Sequence, residues 1–400
     1  MKDLQAPAMT WPSGPEGLPY SLERLDALMD EAGLDVLMTT SKHNAQYLLG
    51  GYRFIFFSAM DAIGHSRYLP VFLYVRGQRD KTAYIGNRME GGEHENAPFW
   101  VPHVMPETWT VHEAVAGAVA HLDKTGQARA CIGVEPGFLP WDAAQALGRA
   151  LPGAELRDAT GLLERLRAVK SAGELDLLRR ASEAITGAMQ ATIAGAGAGD
   201  SKTGIIERLR REETGRGLQF EYCLLTLGGS HNRAASGQRW AAGEVLSIDS
   251  GGNLNGYIGD ICRMGVLGEP DSELEDLLAE VETVQQAAFA QVRAGAPGAA
   301  LIGAAQAELA RQPNRACTDF FAHGMGLISH EAPFLMTNHP VTYEGTDADS
   351  PLEAGMVISV ETTMLHPRRG FIKLEDTLAV TEDGFEMFGT EGRGWNRGGV

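Results

Sequence analysis

The chain has 400 residues, 44 % of them hydrophobic, which is enough for two domains with separate cores and excludes a disordered or fibrous class. With 34 basic against 52 acidic residues the formal charge is -18, and no Lys/Arg run is long enough to form a nucleic-acid patch, so no nucleic-acid partner is expected. The N-terminus lacks an apolar signal core and no run is long enough to span a bilayer, so a cytoplasmic protein without membrane contact is expected; Cys131, Cys223, Cys262 and Cys317 lack disulfide or metal spacing.

Along the chain, a Pro/Gly-rich lead-in runs to residue 20. Ser21 is placed to cap a helix whose stripe is Leu22, Leu25, Leu28, Met29 and Ala32, stopped by Gly33. Asp35 to Thr39 reads as a short buried strand, and Val71 to Arg76 with Thr82 to Ile85 as a hairpin around residues 77–81. Trp109 to Leu122 and Trp141 to Leu151 read as helices, with the strand Ala130 to Val134 between them. This alternation predicts a mixed α/β domain over residues 1–165.

From residue 166 the pattern changes. Ser171 and Glu174 form a capping box ahead of Leu178, Ala181, Ile185, Ala188 and Thr192 at helical spacing, the Gly/Ala-rich stretch to Gly199 ends that helix, and Asp200 is positioned to cap the next. Ser272 with Glu275 forms another capping box, opening a helix that carries Leu278, Val281, Val284, Ala288 and Val292 and is closed by Gly295 and Pro297. Hairpins lie between and after these helices, so residues 166–400 are expected to form an α+β domain, and the likeness of its two hairpins hints at internal pseudo-symmetry.

Those hairpins carry the chemistry. Val245 to Asp249 and Tyr257 to Val266 are apolar, partly β-branched runs separated by the turn residues Gly251, Gly252, Asn255 and Gly256, and a turn near Leu254 and Asn255 puts Asp249 opposite or diagonal to Asp260. Residues 356–381 repeat the plan, with Pro367 to Gly370 as the turn and Glu361 roughly opposite Glu375. Like charges opposed across strands destabilise a sheet, and burying an unpaired carboxylate costs on the order of several kcal/mol, so a cation is expected between them. With His323 between the pairs, four carboxylates and one imidazole look like a two-metal cage suited to Mn, Co, Fe or Zn better than Cu. Lys373, two positions before Glu375 and so on the same strand face, is a candidate neighbouring cation, and Cys262 shares the face of Asp260 with packing as its expected role.

Over nearly its whole length the chain resembles the creatinase/prolidase/aminopeptidase P superfamily. His43 to Gly51, HNAQYLLGG, is similar to the family's Asn-x-x-Tyr-Leu-Thr-Gly segment, and LRAVKSAGELDLLRRA to its Arg-x-x-Lys-Ser-x-x-Glu helix start. The most specific likeness lies in Ile248-Asp249-Ser250-Gly251, Asp260 eleven residues on, His323-Gly324-Met325-Gly326, His330-Glu331-Ala332-Pro333, Val360-Glu361 and Leu374-Glu375-Asp376. The resemblance implies an α+β pita-bread catalytic domain preceded by a smaller α/β creatinase-type domain. It implies two divalent metal ions, manganese first with cobalt, zinc and iron as alternatives, held by Asp249, Asp260, His323, Glu361 and Glu375, with Asp260 and Glu375 bridging. Creatinase itself works without metal, so retention of all five argues against creatinase chemistry. Two such ions would lower the pKa of a water between them towards about 7, and Glu361 would pass a proton to the leaving nitrogen.

His330 corresponds to a family histidine that contacts the substrate or the tetrahedral intermediate, and His339 is a candidate by proximity alone. The family peptidases carry a further substrate-contacting histidine ahead of the first metal aspartate, for which His231 is the available candidate here, in an apparently shorter stretch. Lys373 replaces a frequent arginine, and the two are not equivalent where a bidentate contact is needed; Ala322 replaces the glycine before the metal histidine. Asp376 is expected to cap or pair with its neighbours. The implied activity is hydrolysis of a C–N amide bond in a small peptide or amide, first an Xaa-Pro peptidase of the prolidase or aminopeptidase P kind. A homodimer is implied as well, with Tyr52, Phe54, Phe56, Phe57 and Tyr68 as candidates to line a pocket closed by the second subunit. A small-molecule enzyme resembling ectoine hydrolase or dimethylsulfoniopropionate lyase is the alternative, Gly251 counting against the lyase, which usually has aspartate there. A non-catalytic binding protein on the same fold is disfavoured by the intact ligand set.

Overall fold

The computed structural model describes residues 11–55, 68–336 and 347–399. Two compact units result, one over Pro7–Arg167 and one built mainly of Ala168–Val400.

The first unit contains α1 (Leu22–Glu31), β1 (Val36–Thr39), α2 (Lys42–Leu48), β2 (Val71–Val75), β3 (Ala83–Asn87), α3 (Gly91–Asn96), β4 (His103–Thr108), α4 (Val111–Lys124), β5 (Cys131–Val134), α5 (Trp141–Ala150), β6 (Glu155–Asp158) and α6 (Thr160–Ala168). Its sheet runs β4-β3-β2-β1-β5-β6, with β2 and β3 as the expected antiparallel hairpin. Val36, Met38, Leu73 and Ile132 bury against Val115, Ala118 and Leu122 of α4 and Leu147 of α5. Ser21 caps α1 by accepting from the Arg24 amide. The helix α4 starts later than Trp109, because Thr110 and Glu113 form a reciprocal capping box that leaves the tryptophan outside. The helix α2, capped by Ser41, falls where the sequence offered only a family-like segment.

The second unit contains α7 (Ala172–Ala194), α8 (Lys202–Gly215), β7 (Gln219–Leu227), β8 (Val245–Leu254), β9 (Tyr257–Leu267), α9 (Ser272–Phe289), α10 (Gly298–Leu309), β10 (Thr318–Gly324), β11 (Val357–His366), β12 (Gly370–Val380), β13 (Phe385–Phe388) and β14 (Asn396–Gly398). Its sheet runs β10-β11-β12-β9-β8-β7, with β13 added to β12 and β14 to β9. Two expected caps move by one residue. Ser201, not Asp200, caps α8, because the Asp200 carboxylate accepts from the Gly197 amide instead. Asp271, not Ser272, caps α9. That helix ends at Phe289, short of Val292, and Pro297 stands at the N-cap of the unforeseen α10.

The first hairpin also turns more tightly than expected. Asn255 (φ 55°) and Gly256 (φ 97°) are both in the left-handed region, as a two-residue primed turn requires, so Gly251 and Gly252 belong to β8. Beneath the sheet, Ile185 and Ile193 of α7 and Leu209 of α8 pack on Leu246, Ile248 and Ile261. Val281 of α9 packs on Met264, Ile372 and Leu374, and Val284 of α9 with Leu301 of α10 packs on Ile358 and Val360. Each carboxylate hairpin thus has a helix pair behind it, the pseudo-symmetry hinted at by the sequence. Because side chains alternate along a strand, burying Ile248, Ile261, Val360 and Leu374 under the helices turns Asp249, Asp260, Glu361 and Glu375 to the opposite face. Among the described residues no helix is long and apolar enough to cross a membrane.

Candidate metal centre

Strand register brings the five predicted residues together. Asp249 pairs with Cys262 and Gly251 with Asp260, so the two aspartates are diagonal neighbours, whereas Glu361 faces Glu375 directly. Glu375 also pairs with Cys262, which joins the hairpins, and His323 enters from β10 opposite Ser359, two positions from Glu361. All five are buried, with Glu361 the most accessible at 9 %. Asp249, Asp260, Glu361 and Glu375 line a cavity of about 540 Å³ together with His330 and Arg233.

His323 reports on what the site is built to hold. Its Nδ1 lies 3.1 Å from the Gly324 carbonyl oxygen, which can only accept, so Nδ1 carries a proton. Its Nε2 is buried without a hydrogen-bond partner, 3.8 Å from Glu375 Oε1 and 3.9 Å from Glu361 Oε1. A ring nitrogen at that separation from two carboxylate oxygens leaves room for a cation between them. One ligand atom each from Asp260, His323 and Glu375 lie within 4.8 Å of one another, and two carboxylates with one imidazole suit a first-row divalent ion.

The other side of the cluster is filled by the chain's own cations. Lys373 Nζ lies 2.6 Å from Asp249 Oδ2 and 2.7 Å from Glu375 Oε2 and also contacts Glu361 Oε2. The candidate neighbouring cation is therefore among the acids. Arg233 donates to the same Asp249 Oδ2 and lies over the Phe371 ring, 5.2 Å from its centroid. Burial raises the carboxyls of Asp249, Asp260 and Glu361 above the usual range. Burial also pushes Glu375 up, but Lys373 and His323 outweigh it and hold that carboxyl well below its ordinary value. For Lys373 burial opposes the charge, and the three carboxylates around it outweigh that and raise it well above the usual lysine value.

Outside the cluster, side chains fix its geometry. The Tyr222 hydroxyl donates to Asp260 Oδ1, the Ser359 hydroxyl donates to Glu375 Oε1 at 2.9 Å, and Gln285 Nε2 of α9 donates to the carbonyls of both Val360 and Leu374 at 2.9 Å. The His330 ring stacks on His323 with centroids 3.9 Å apart. Cys262 is buried beside Ser247, its thiol pushed up by burial, consistent with packing. Asp376 pairs with Arg263 and Arg393 at 2.9 and 3.1 Å. His231 is exposed and does not line the cavity; Arg233, two residues on, does. His339, Phe56 and Phe57 lie outside the described residues, and Tyr52 and Phe54 are buried within the first unit rather than presented on its surface. The sequence reading missed Arg233, Tyr222, Ser359 and Gln285. Only Tyr222 left a signal, since Gly251 across from it on β8 has room for no side chain: a Cβ there would meet its ring at 2.4 Å.

The profile of metallopeptidase family M24 matches residues 176–382, and that of the creatinase/prolidase N-terminal domain matches residues 22–169. YkvY of Bacillus subtilis (strain 168) is 24% identical over 378 residues, 91% of this chain and 95% of that one. The Xaa-Pro dipeptidase of Pyrococcus furiosus is 26% identical over 239 residues, 58% of this chain and 65% of that enzyme. Among solved structures, the Xaa-Pro dipeptidase from Bacillus anthracis has a TM-score of 0.78 at 21% identity, over 94% of this chain and 98% of that one. The X-Pro aminopeptidase from Thermotoga maritima MSB8 has a TM-score of 0.76 at 20% identity, over 94% and 99%. The fold is the one the sequence resemblance implied, an α/β creatinase-type domain followed by a pita-bread domain.

Proposed function

The chain belongs to metallopeptidase family M24, and we propose that it hydrolyses the C–N amide bond before proline in short peptides. The observation that carries this reading is the buried Asp260, His323 and Glu375 group, with His323 Nε2 lacking a hydrogen-bond partner and with Asp260 and Glu375 lining a cavity of about 540 Å³. That volume lies within the range of small-ligand sites, about 300–1,000 Å³. The names of the related Xaa-Pro dipeptidases support the substrate class.

In this reading Asp249, Asp260, His323, Glu361 and Glu375 form the ligand set over which the sequence expects two ions, with manganese first. A divalent ion bound there supplies Lewis acidity, activating a water and polarising the scissile carbonyl. Glu361, at the cavity wall, takes the proton from the attacking water on a carboxylate oxygen and returns it to the leaving nitrogen. His330 lines the cavity, held flat against His323, and donates to the substrate carbonyl or the oxyanion formed from it. Tyr222 and Ser359 hold Asp260 and Glu375 in orientation. A homodimer in the cytoplasm completes the reading, and a concentration-independent monomer mass in light scattering would contradict the dimer.

The test is turnover of a panel of Xaa-Pro dipeptides and longer Xaa-Pro peptides after Mn or Co reconstitution, with Asp260→Ala as the blank. Cleavage of dipeptides alone indicates a prolidase, and release of the first residue from longer peptides an aminopeptidase P. No cleavage by metal-loaded protein rejects the peptidase reading. One observation favours a second reading in that event: Arg233, rather than the sequence candidate His231, lines the cavity, and a guanidinium suits a small amide bearing a carboxylate, as in an ectoine hydrolase-like enzyme. The lyase alternative is disfavoured further, since the Tyr222 ring leaves no space for an aspartate at position 251.

A further inference from the structure

We propose that this centre holds one divalent ion per chain, and that the Lys373 ammonium stands where a second would bind. The proposal rests on the metal-dependent reading above and concerns the number of ions.

Three observations carry it. The ammonium sits between Asp249 Oδ2, Glu361 Oε2 and Glu375 Oε2, with the first and last at 2.6 and 2.7 Å. An ion on that side of the cluster would need those same oxygens at about 2.0–2.2 Å, so ion and ammonium compete for one position. Lys373 is 4 % exposed on a central strand, and with Ile372 and Leu374 on either side packed in the core beneath, its side chain is turned to the cavity face on which the acids stand.

Asp249 is also satisfied twice over. Its Oδ2 takes both Lys373 and Arg233, and two fixed cations at one carboxylate oxygen leave it a poor ligand for a third, doubly charged one. Asp260, His323 and Glu375 present the opposite case. Their ligand atoms converge within 4.8 Å, and His323 Nε2 has no hydrogen-bond partner. One position is therefore open and the other filled.

The charges agree with that division. Four buried carboxylates are balanced by Lys373, Arg233 and one divalent ion, whereas a second ion would leave the cluster with surplus positive charge. Lys373 thus acts as a positioning residue, holding Asp249 and Glu361 as an ion would, without any exchangeable metal.

The experiment is a count of ions in the full-length protein, stripped with chelator, dialysed against Mn(II) and analysed by elemental mass spectrometry and electron paramagnetic resonance. One Mn per chain, with the spectrum of an isolated ion, is the expected result; Lys373→Met is expected to take up a second Mn and show exchange coupling. Two coupled Mn per chain in the wild type overturn the proposal, whatever the variant does. One Mn in both proteins, with the variant folded by circular dichroism, overturns the role given to Lys373. No bound Mn in the wild type rejects the metal-dependent reading itself, and this proposal with it.

Discussion

In the β8–β9 hairpin the two aspartates are diagonal, with Asp260 accepting from Tyr222 of β7 and Asp249 from Arg233 of a loop. In the β11–β12 hairpin Glu361 and Glu375 face each other directly, with Lys373 two residues along the same strand. Directly opposed side chains are about 4.5–5.5 Å apart and diagonal ones about 7–8 Å, so the second hairpin has the larger repulsion to relieve. It carries its cation within its own Lys-x-Glu sequence. The first takes its relief from groups brought in by tertiary structure. Changes to the candidate ligands should therefore abolish function, changes to Lys373 should unbalance charge, and changes around the first hairpin should weaken it by degrees.

The largest effect is expected at Asp260. Replacement by alanine removes a candidate ligand of the open position, and losing Lewis acidity worth several kcal/mol lowers kcat/KM by roughly 10³-fold or more while the fold is retained. Steady-state kinetics with parallel circular dichroism check it, and full activity would remove Asp260 from the centre. Next comes Lys373→Met, which strips the built-in cation from three buried acids. Breaking a buried ion pair costs about 3–5 kcal/mol, so urea unfolding in chelator should show a loss of that order, and excess Mn(II) should recover much of it. A midpoint unchanged in chelator would mean the ammonium is not compensating the acids.

Tyr222→Phe removes only the donor to Asp260. Partners of this kind typically contribute 10–100-fold in metal affinity, and a competition titration against a chelator measures it. The smallest effect concerns Glu213 of α8, which accepts from Ser250 Oγ at 3.1 Å behind the first hairpin. Burial raises its carboxyl to about 8 from an ordinary 4.5. The native state therefore keeps a proton that the unfolded chain releases, and stability falls as pH rises from about 4.5 to about 8, then levels. Glu213→Gln should flatten that fall, lifting the melting temperature at pH 8.5 by a few degrees over the wild type and changing it little at pH 4.5. Parallel profiles for the two proteins would contradict the assignment.

The centre was legible in the sequence because it is built from local strand geometry. A hairpin with turn residues at its middle sets which acids meet, and the Lys373 to Glu375 spacing sets a shared face. Arg233 and Tyr222 were not legible for the converse reason. Arg233 sits on a loop without periodicity, and Tyr222 reaches Asp260 only because β7 pairs with β8 through an irregular register between Phe220 and Tyr222. At the start of α9 both Asp271 and Ser272 are good caps, and the choice falls to Asp271, whose carboxylate also takes Arg369 at 2.9 Å. Gly295 and Pro297 were read as a stop, but proline also suits a helix start, and α10 begins there.

The most direct test of the account is the anomalous diffraction of a crystal grown from Mn-loaded protein. The account predicts a peak within coordination distance of Asp260, His323 Nε2 and Glu375. A well-ordered site with no peak there, or Mn bound only elsewhere, would contradict it.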